Sequence, residues 1–519
     1  MSYVELHTHS YYSFLEGASS PQEIVGAAKE LGYKAIALTD SCGLYGAIPF
    51  YQEAKILGIK PIIGALMEVV SGESIILLCR NLRGYSNLSE LITRSRAGQQ
   101  KGQYKTLRKD IEELSENLIC LIGGKNGSIS KILSHNQEQK ALDILKFYRE
   151  TFDSESLYME LTQHLEYGNQ IYLQKLMDLA QQFSIPFVAT NAIRYHSEEK
   201  AHLSDVISCI REKVLLKNSY NARSGNHERR LKTPMEMKEL FQGIPSAIEN
   251  TIKIANQCHI ELEFSAYRFP EYPIPKGYNL HTYLKELCLQ ALPRKIRHHQ
   301  DSYRKRLNEE LDLIENKNLS GYFLVVWDLV RFAISQDIPC QGRGSAANSL
   351  VAYLLDIAPV DPLEHNLFFG RFLNEETRVI PDIDLDFAST PEQEMKHREN
   401  VIQYVYTKYG KEYVAMACTF ITYRAKSAIR EVGKVLEMPE DILEKMSKLC
   451  SRYHLPDAFD ELSKLNEFST YLNSPMWNHF KRLACQILDL PRHVSIHTGG
   501  MIISSTPLHK LVPLEPARM

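Results

Sequence analysis

Between Ser20 and Ile63 the hydrophobic period of the sequence switches repeatedly between helix and strand, and this restricts the fold more than any other feature of the 519 residues. Ser20-Pro-Gln-Glu23 has the form of a capping box with proline at the first helical position, and Ile24, Val25, Ala28 and Leu31 continue it as an amphipathic helix that Gly32 ends. A buried strand over Lys34–Asp40 follows, then a helix around Ile48–Leu57 and a strand at Lys60–Ile63. With Val4–Leu6 as a short opening strand, the order is βαβαβ. That order favours parallel strands and an α/β fold, either a barrel or a doubly wound sheet. Similar units recur at Leu118–Ile122, Leu157–Leu161 and Pro186–Thr190.

A chain of this length exceeds one ordinary core, so two to four domains are expected. From about Asp205 to Cys258 the pattern is helical, apart from a polar loop at Asn221–Arg230. Phe269–Pro275, with three prolines, reads as a connector. A long helical region over Tyr283–Asn316 carries two basic runs, Arg294 to His299 and Arg304 to Arg306. They are either a solvated helix face or a phosphate-contacting surface. A net charge of −3 gives no sign of nucleic-acid binding over the whole chain, so any such contact rests on local patches. The ten cysteines stand singly, which speaks for reduced thiols in a cytoplasmic protein and against a zinc ribbon. Neither a leader pattern nor a membrane-length apolar run is present, and Ser74–Cys79 is strand-sized.

Two segments near the middle carry chemistry. Gly342-Arg-Gly-Ser345 leads into Ala346–Leu355, which reads as a good helix, and a glycine-rich turn at a helix start presents free N–H groups to a triphosphate. The lysine of a Walker A loop is missing. Pro381-Asp-Ile-Asp-Leu-Asp-Phe387 alternates strictly, so a strand there puts Asp382, Asp384 and Asp386 on one face and Ile383, Leu385 and Phe387 on the other. Carboxylates two residues apart lie roughly 6–7 Å from each other along a strand. That spacing suits joint binding of Mg²⁺, whereas three crowded like charges have little structural use.

Together these segments look like a nucleotidyltransferase palm, and residues 342–387 resemble the palm of the bacterial C-family DNA polymerases, the DNA polymerase III alpha subunit. Ser349-Leu-Val-Ala-Tyr353, Asp361-Pro-Leu363 and Arg371-Phe-Leu-Asn374 extend the match. The resemblance implies that Asp382 and Asp384 bind catalytic Mg²⁺, that Gly344, Ser345 and Arg371 hold the incoming triphosphate with help from Arg343, and that Asp386 is structural or supporting. Tyr423–Gly433 resembles the helix after the palm aspartates and implies DNA-facing Arg424, Lys426 and Arg430, which are equally well a surface face. His497–Ile503 resembles the strand that re-enters the palm after the thumb. Glu5-Leu-His-Thr-His-Ser10, Ser13–Ala18, Leu44-Tyr-Gly46, Asn226–Leu231 and His493–His497 favour the error-prone branch.

The first residues resemble a PHP domain, whose βα rim would gather His7, His9 and Asp40 as metal ligands. Tyr11, Ser41, Leu66, Ala192 and Arg194 stand where that family has further ligands, so a degenerate site without phosphoesterase or proofreading activity is expected. The implied plan is a PHP-like βα barrel over 1–255, the first part of a palm over 256–436, a helical thumb over 437–491 and a returning palm segment over 492–519. The implied activity is template-dependent transfer of dNMP to a primer 3′-hydroxyl, of an error-prone or translesion type serving replication and DNA repair. Implied partners are primer–template DNA and dNTPs, with a sliding clamp or mutagenesis-complex proteins meeting regions beyond these residues. The family's third catalytic aspartate falls beyond Met519, so the expectation is that this chain alone extends a primer weakly or not at all. The alternatives are a non-catalytic DNA- or partner-binding remnant and a PHP-type phosphoesterase.

Overall fold

The computed structural model describes residues 3–99, 103–124, 129, 138–220, 222–262, 270, 272–376, 381–388, 394–450, 455–463 and 474–516. The chain divides into two compact units. One comprises Met1–Glu263, Met416–Gly500 and His509–Met519, the other Phe264–Ala415 and Met501–Leu508.

The first unit is built on strands β1 (Ala35–Leu38), β2 (Lys60–Glu68), β3 (Ser74–Cys79), β4 (Leu118–Gly123), β5 (Leu157–Thr162) and β6 (Phe187–Thr190), hydrogen-bonded in sequential order. The expected parallel order holds for β1–β2, β4–β5 and β5–β6 but not for β3, which runs antiparallel to both neighbours. The link from β2 to β3 is too short for a crossover helix, so the chain turns back as a hairpin. The outer edges are joined through the first residues. Glu5 bridges Ile36 and Thr8 bridges Ile193, both in parallel, with Ala37 N to Glu5 O and His9 N to Ile193 O each 2.9 Å. The sheet therefore closes as a barrel rather than remaining doubly wound. Val4–Leu6 makes isolated bridges rather than a full ladder, and the Glu5 carboxylate instead accepts from the amides of His7 and Asn191, each at 2.9 Å.

Strand alternation sorts the side chains. Ile62, Ile76, Leu121, Tyr158 and Val188 pack inside with Val4, Leu6 and the helix residues Ile254 and Ala255. Residues of the opposite parity, among them Ile36, Ile63, Leu77, Cys120 and Met159, pack outward against the surrounding helices. In the same unit the helices Ala425–Val435, Glu440–Leu449 and Pro475–Gln486 share a core with the helix Ala201–Glu212 through Val206, Ile429, Val432, Met446 and Phe480. Residues 451–454 and 464–473 of the expected thumb, and Phe269 and Glu271 of the connector, lie outside the described residues.

The second unit is mostly helical. The helical region expected over Tyr283–Asn316 consists of two helices, Leu280–Lys295 and Gln300–Asn316, separated by residues 296–299 with His299 at φ 56°. Both pack with the apolar helix Ser320–Ser335. Strands β7 (Cys340–Arg343) and β8 (Asp384–Phe387) form an antiparallel pair in which Gly342 faces Leu385 and Arg343 faces Asp384. The helix Glu394–Tyr409 stacks Tyr404 on Phe332 at 3.9 Å. Its Tyr404 hydroxyl and Lys408 both reach the Asp328 carboxylate, at 2.8 and 2.5 Å. Strands β9 (Val414–Thr422) and β10 (Pro491–Ile503), most of whose residues belong to the first unit, pair with each other. Among the described residues no helix is long and apolar enough to cross a membrane.

Candidate functional site

The carboxylate strand of the second unit has the alternation that its sequence demands. Asp382, Asp384 and Asp386 are exposed while Ile383, Leu385 and Phe387 are half-buried. The strand entry is fixed by Tyr322, whose hydroxyl donates to Pro381 O at 2.9 Å and accepts from Ile383 N at 3.2 Å. Burial and the nearby Asp382 and Asp384 charges push that phenol up to about 12. Arg343, across the ladder, places its guanidinium 3.4 Å from Asp384 and 3.1 Å from Asp386, with all three side chains more than half exposed. Like charges on one strand face repel, and this cation offsets part of that repulsion.

Beyond Arg343 the chain turns through Gly344, at φ +69°, into a short 3₁₀ turn over Gly344–Asn348. The long helix expected over Ala346–Leu355 is thus a 3₁₀ turn followed by a five-residue helix, Leu350–Leu354. The break has a buried cause. Glu310, fully buried, accepts from Ser349 Oγ at 2.9 Å, Leu350 N at 3.1 Å and Val351 N at 3.2 Å. That helix start is occupied by a protein carboxylate, so amides open to a phosphate are those of the Gly344–Ser345 turn. Gly342 lies so close to the next segment that a Cβ there would stand 2.5 Å from Ile357 O. Arg371 is exposed at the end of a 3₁₀ turn that packs on the Gly344–Asn348 turn.

Glu310 and Tyr322 lie outside the sequence motifs. Glu310 was legible in principle, since it shares the buried helical stripe of Leu307, Leu311 and Ile314, where a carboxylate needs partners. One such partner is Arg306, 2.8 Å away and set over the Phe369 ring. This residue of the second basic run is therefore a packing group, whereas Arg304 and Lys305 are exposed. Lys295 of the first run is likewise tied to Asp356 at 2.5 Å.

Asp382 and Asp384 offer exposed hard oxygen donors of the kind Mg²⁺ takes, so the residues present fit that ion. Arg424, Lys426 and Arg430 lie in the first unit on or beside the helix Ala425–Val435, all exposed, with Arg424 held 2.6 Å from Asp489.

At the rim of the barrel, strand parity leads from the apolar interior into a cavity of about 630 Å³ lined by His7, His9, Glu68, Glu160, Arg194 and Arg229, among others. His7 Nδ1 lies 2.6 Å from Glu160 Oε1, and His7 Nε2 lies 3.0 Å from His9 Nε2. Asp40 does not join them. Its carboxylate is closed off by Ser10 Oγ and Ser10 N, each at 2.7 Å, and by Ser13 Oγ at 2.6 Å. Since Ser13 Oγ spends its proton on Asp40, His9 Nδ1 at 3.0 Å must donate to it, which leaves His9 Nε2 as acceptor for His7. Burial, the neighbouring His7 and three arginines hold His9 well below the usual imidazole range. Burial also raises Asp40, to about 6.

Glu160 belongs to none of the sequence motifs, although a glutamate in the buried strand Leu157–Thr162 is conspicuous. Arg194 and Arg229 have no carboxylate within 4 Å among the described residues, and the buried Nε of Arg229 has no hydrogen-bond partner. Burial, then the charge of Arg194, lowers Arg229 to about 9. Glu16 acts on both from farther off, and two guanidiniums with no carboxylate in contact make this part of the cavity favourable to anions.

The family matches define a class, a PHP domain followed by a bacterial DNA polymerase III alpha domain. Residues 5–164 match the PHP domain model, and residues 282–519 match the bacterial DNA polymerase III alpha NTPase domain model. The error-prone DNA polymerase of Pseudomonas aeruginosa is 35% identical over 521 residues, covering 100% of this chain and 48% of that one. That of Symbiobacterium thermophilum is 34% identical over 537 residues, covering 100% and 49%. The DNA polymerase III subunit alpha of Borreliella burgdorferi is 34% identical over 532 residues, covering 99% and 46%. The chain belongs to this family of bacterial DNA polymerase III alpha and error-prone DNA polymerases, and it spans about half the length of the curated relatives it matches. Among solved structures, an amidohydrolase from Chromobacterium violaceum with bound sulfate and no metal overlaps 37% of this chain and 87% of its own at 14% identity and a TM-score of 0.26.

Proposed function

We propose that this chain supplies the palm carboxylates and the nucleotide-holding turn of a template-dependent DNA polymerase of the error-prone type, acting on primer–template DNA and dNTPs in the cytoplasm. The observation that carries the reading is the open face of Asp382, just before β8, and Asp384, the first residue of β8, which lies across from Arg343 at the Gly344–Ser345 turn. In this role Asp382 and Asp384 hold Mg²⁺, which supplies charge stabilisation for the attacking and leaving oxygens. Arg343 holds Asp384 and Asp386 in place and presents a positive group beside the turn. The amides after Gly344, with Ser345 and Arg371, orient the triphosphate. Glu310 and Tyr322 are positioning residues, since one fixes the start of the 350–354 helix and the other the entry to β8. A sliding clamp or mutagenesis-complex proteins are the further partners of this reading.

The barrel cavity is assigned no hydrolytic role. Asp40 is withdrawn, and Arg194 and Arg229, with no carboxylate in contact, oppose divalent cations beside them. Primer extension with Mg²⁺, measured on the longest polypeptide that carries these residues, is expected to fall at least about 10²-fold in Asp384→Asn, with Asp386→Asn close to the parent. Extension by Asp384→Asn at the parent rate would refute the assignment. Metal-dependent 3′-exonuclease activity that disappears in His9→Ala would overturn the reading of the cavity.

A further inference from the structure

Helix Ala201–Glu212 presents His202 and Asp205 one turn apart, and the loop over residues 222–230 brings His227 to them. The three donor atoms lie within 4.8 Å of one another, and among the described residues they are the trio of His, Cys, Asp or Glu side chains so gathered. Spacing of i and i+3 puts two side chains on one helical face, so the helix supplies a fixed pair and the loop the third group. The His227 ring meets His202 edge-on at 5.3 Å, and His479 of the helix Pro475–Gln486 stands 6.2 Å from His202. Neither polymerase chemistry nor the barrel cavity uses this trio.

We infer that His202, Asp205 and His227 form a binding site for a divalent transition-metal cation of the zinc type, which clips the 222–230 loop to the helix beneath it. Two imidazoles and one carboxylate select such a cation over Mg²⁺ or Ca²⁺, which take oxygen donors. Arg223 approaches Asp205 at 3.9 Å, too far for a hydrogen bond, and is the cation to be displaced. Arg482 is engaged with His479 at 3.3 Å. The loop is held on its other side by Asn226 Nδ2 to His164 O at 2.6 Å and by Asn191 Nδ2 to Glu228 O at 2.8 Å. Arg223 and Arg229 of this loop line the barrel cavity, so a metal here fixes one wall of that cavity.

The test is Co²⁺ titration of the chelator-stripped full chain by visible absorption, with Zn²⁺ titration by calorimetry. One site is expected in the parent and in His9→Ala and Asp384→Asn, and it is expected to be lost in His227→Ala and in His202→Ala. His202 is exposed, so its variant leaves the core intact, and an unchanged circular dichroism spectrum checks this. Zn²⁺ is also expected to slow amide exchange across residues 222–230 of the parent. Binding that persists in either histidine variant, absence of binding in the parent, or a site lost only in His9→Ala overturns the inference, whatever becomes of the polymerase reading.

Discussion

Glu310→Ala is expected to destabilise the second unit by about 3 kcal/mol, the lower end of the cost of breaking a buried charged pair. Glu310 collects Arg306 Nε at 2.8 Å, the Ser349 hydroxyl and two amides. Counted singly, hydrogen bonds to a charged acceptor contribute about 1.5–3 kcal/mol each, but bonds lost together do not add. Two features hold the figure down. Arg306 remains 23% exposed, so it reaches water once its partner is gone. Burial raises the carboxyl pKa, so desolvation already offsets part of the attraction. Glu310→Gln keeps one acceptor and should cost about 1–2 kcal/mol. The two tryptophans make a clean assay, because Trp327 lies in the second unit and Trp477 in the first. In a Trp477→Phe background, urea unfolding followed by Trp327 emission reports the second unit. A loss below about 1 kcal/mol in Glu310→Ala, or a glutamine variant weaker than the alanine one, would refute the capping argument.

Three further outcomes are expected. Burial raises Glu5 to about 7, so the folded barrel binds that proton more tightly than the unfolded chain does. Its contribution is therefore fully present below the unfolded value of about 4 and is lost as pH rises through about 7. Glu5→Gln should flatten the fall in urea midpoint between pH 5 and 8, and an unchanged slope would contradict this. Sulfate should raise the melting temperature of the parent and do so far less in Arg229→Met, whose stability without sulfate should equal or exceed the parent's. An equal sulfate response in both would remove the anion assignment of the cavity. Gly342→Ala should destabilise the second unit more than Gly344→Ala. The first forces a Cβ to 2.5 Å from Ile357 O, while the second meets open space and costs about 1–2 kcal/mol for its φ of +69°; the reverse order in urea melts would contradict the close-approach reading.

The sequence by itself determined the local pieces whose periodicity is strong. The capping box at Ser20–Glu23 is formed as written, and the alternation of Pro381–Phe387 appears as exposed aspartates over half-buried apolar residues. The barrel strands fell at or within a few residues of their expected ranges. Period and capping are properties of neighbours in the chain, so they survive without knowledge of the fold. Only the tertiary structure decided matters that depend on residues far apart. Glu5 and Thr8 close the barrel by pairing with segments near residues 36 and 193. Glu310 cuts short a helix forty residues away, and Ser10 and Ser13 withdraw Asp40 from the histidines. Arg194 and Arg229 bring positive charge to one part of the cavity. Each of these turns on which polar group buries beside which, and a carboxylate or guanidinium out of water takes its role from the partner that the fold brings to it.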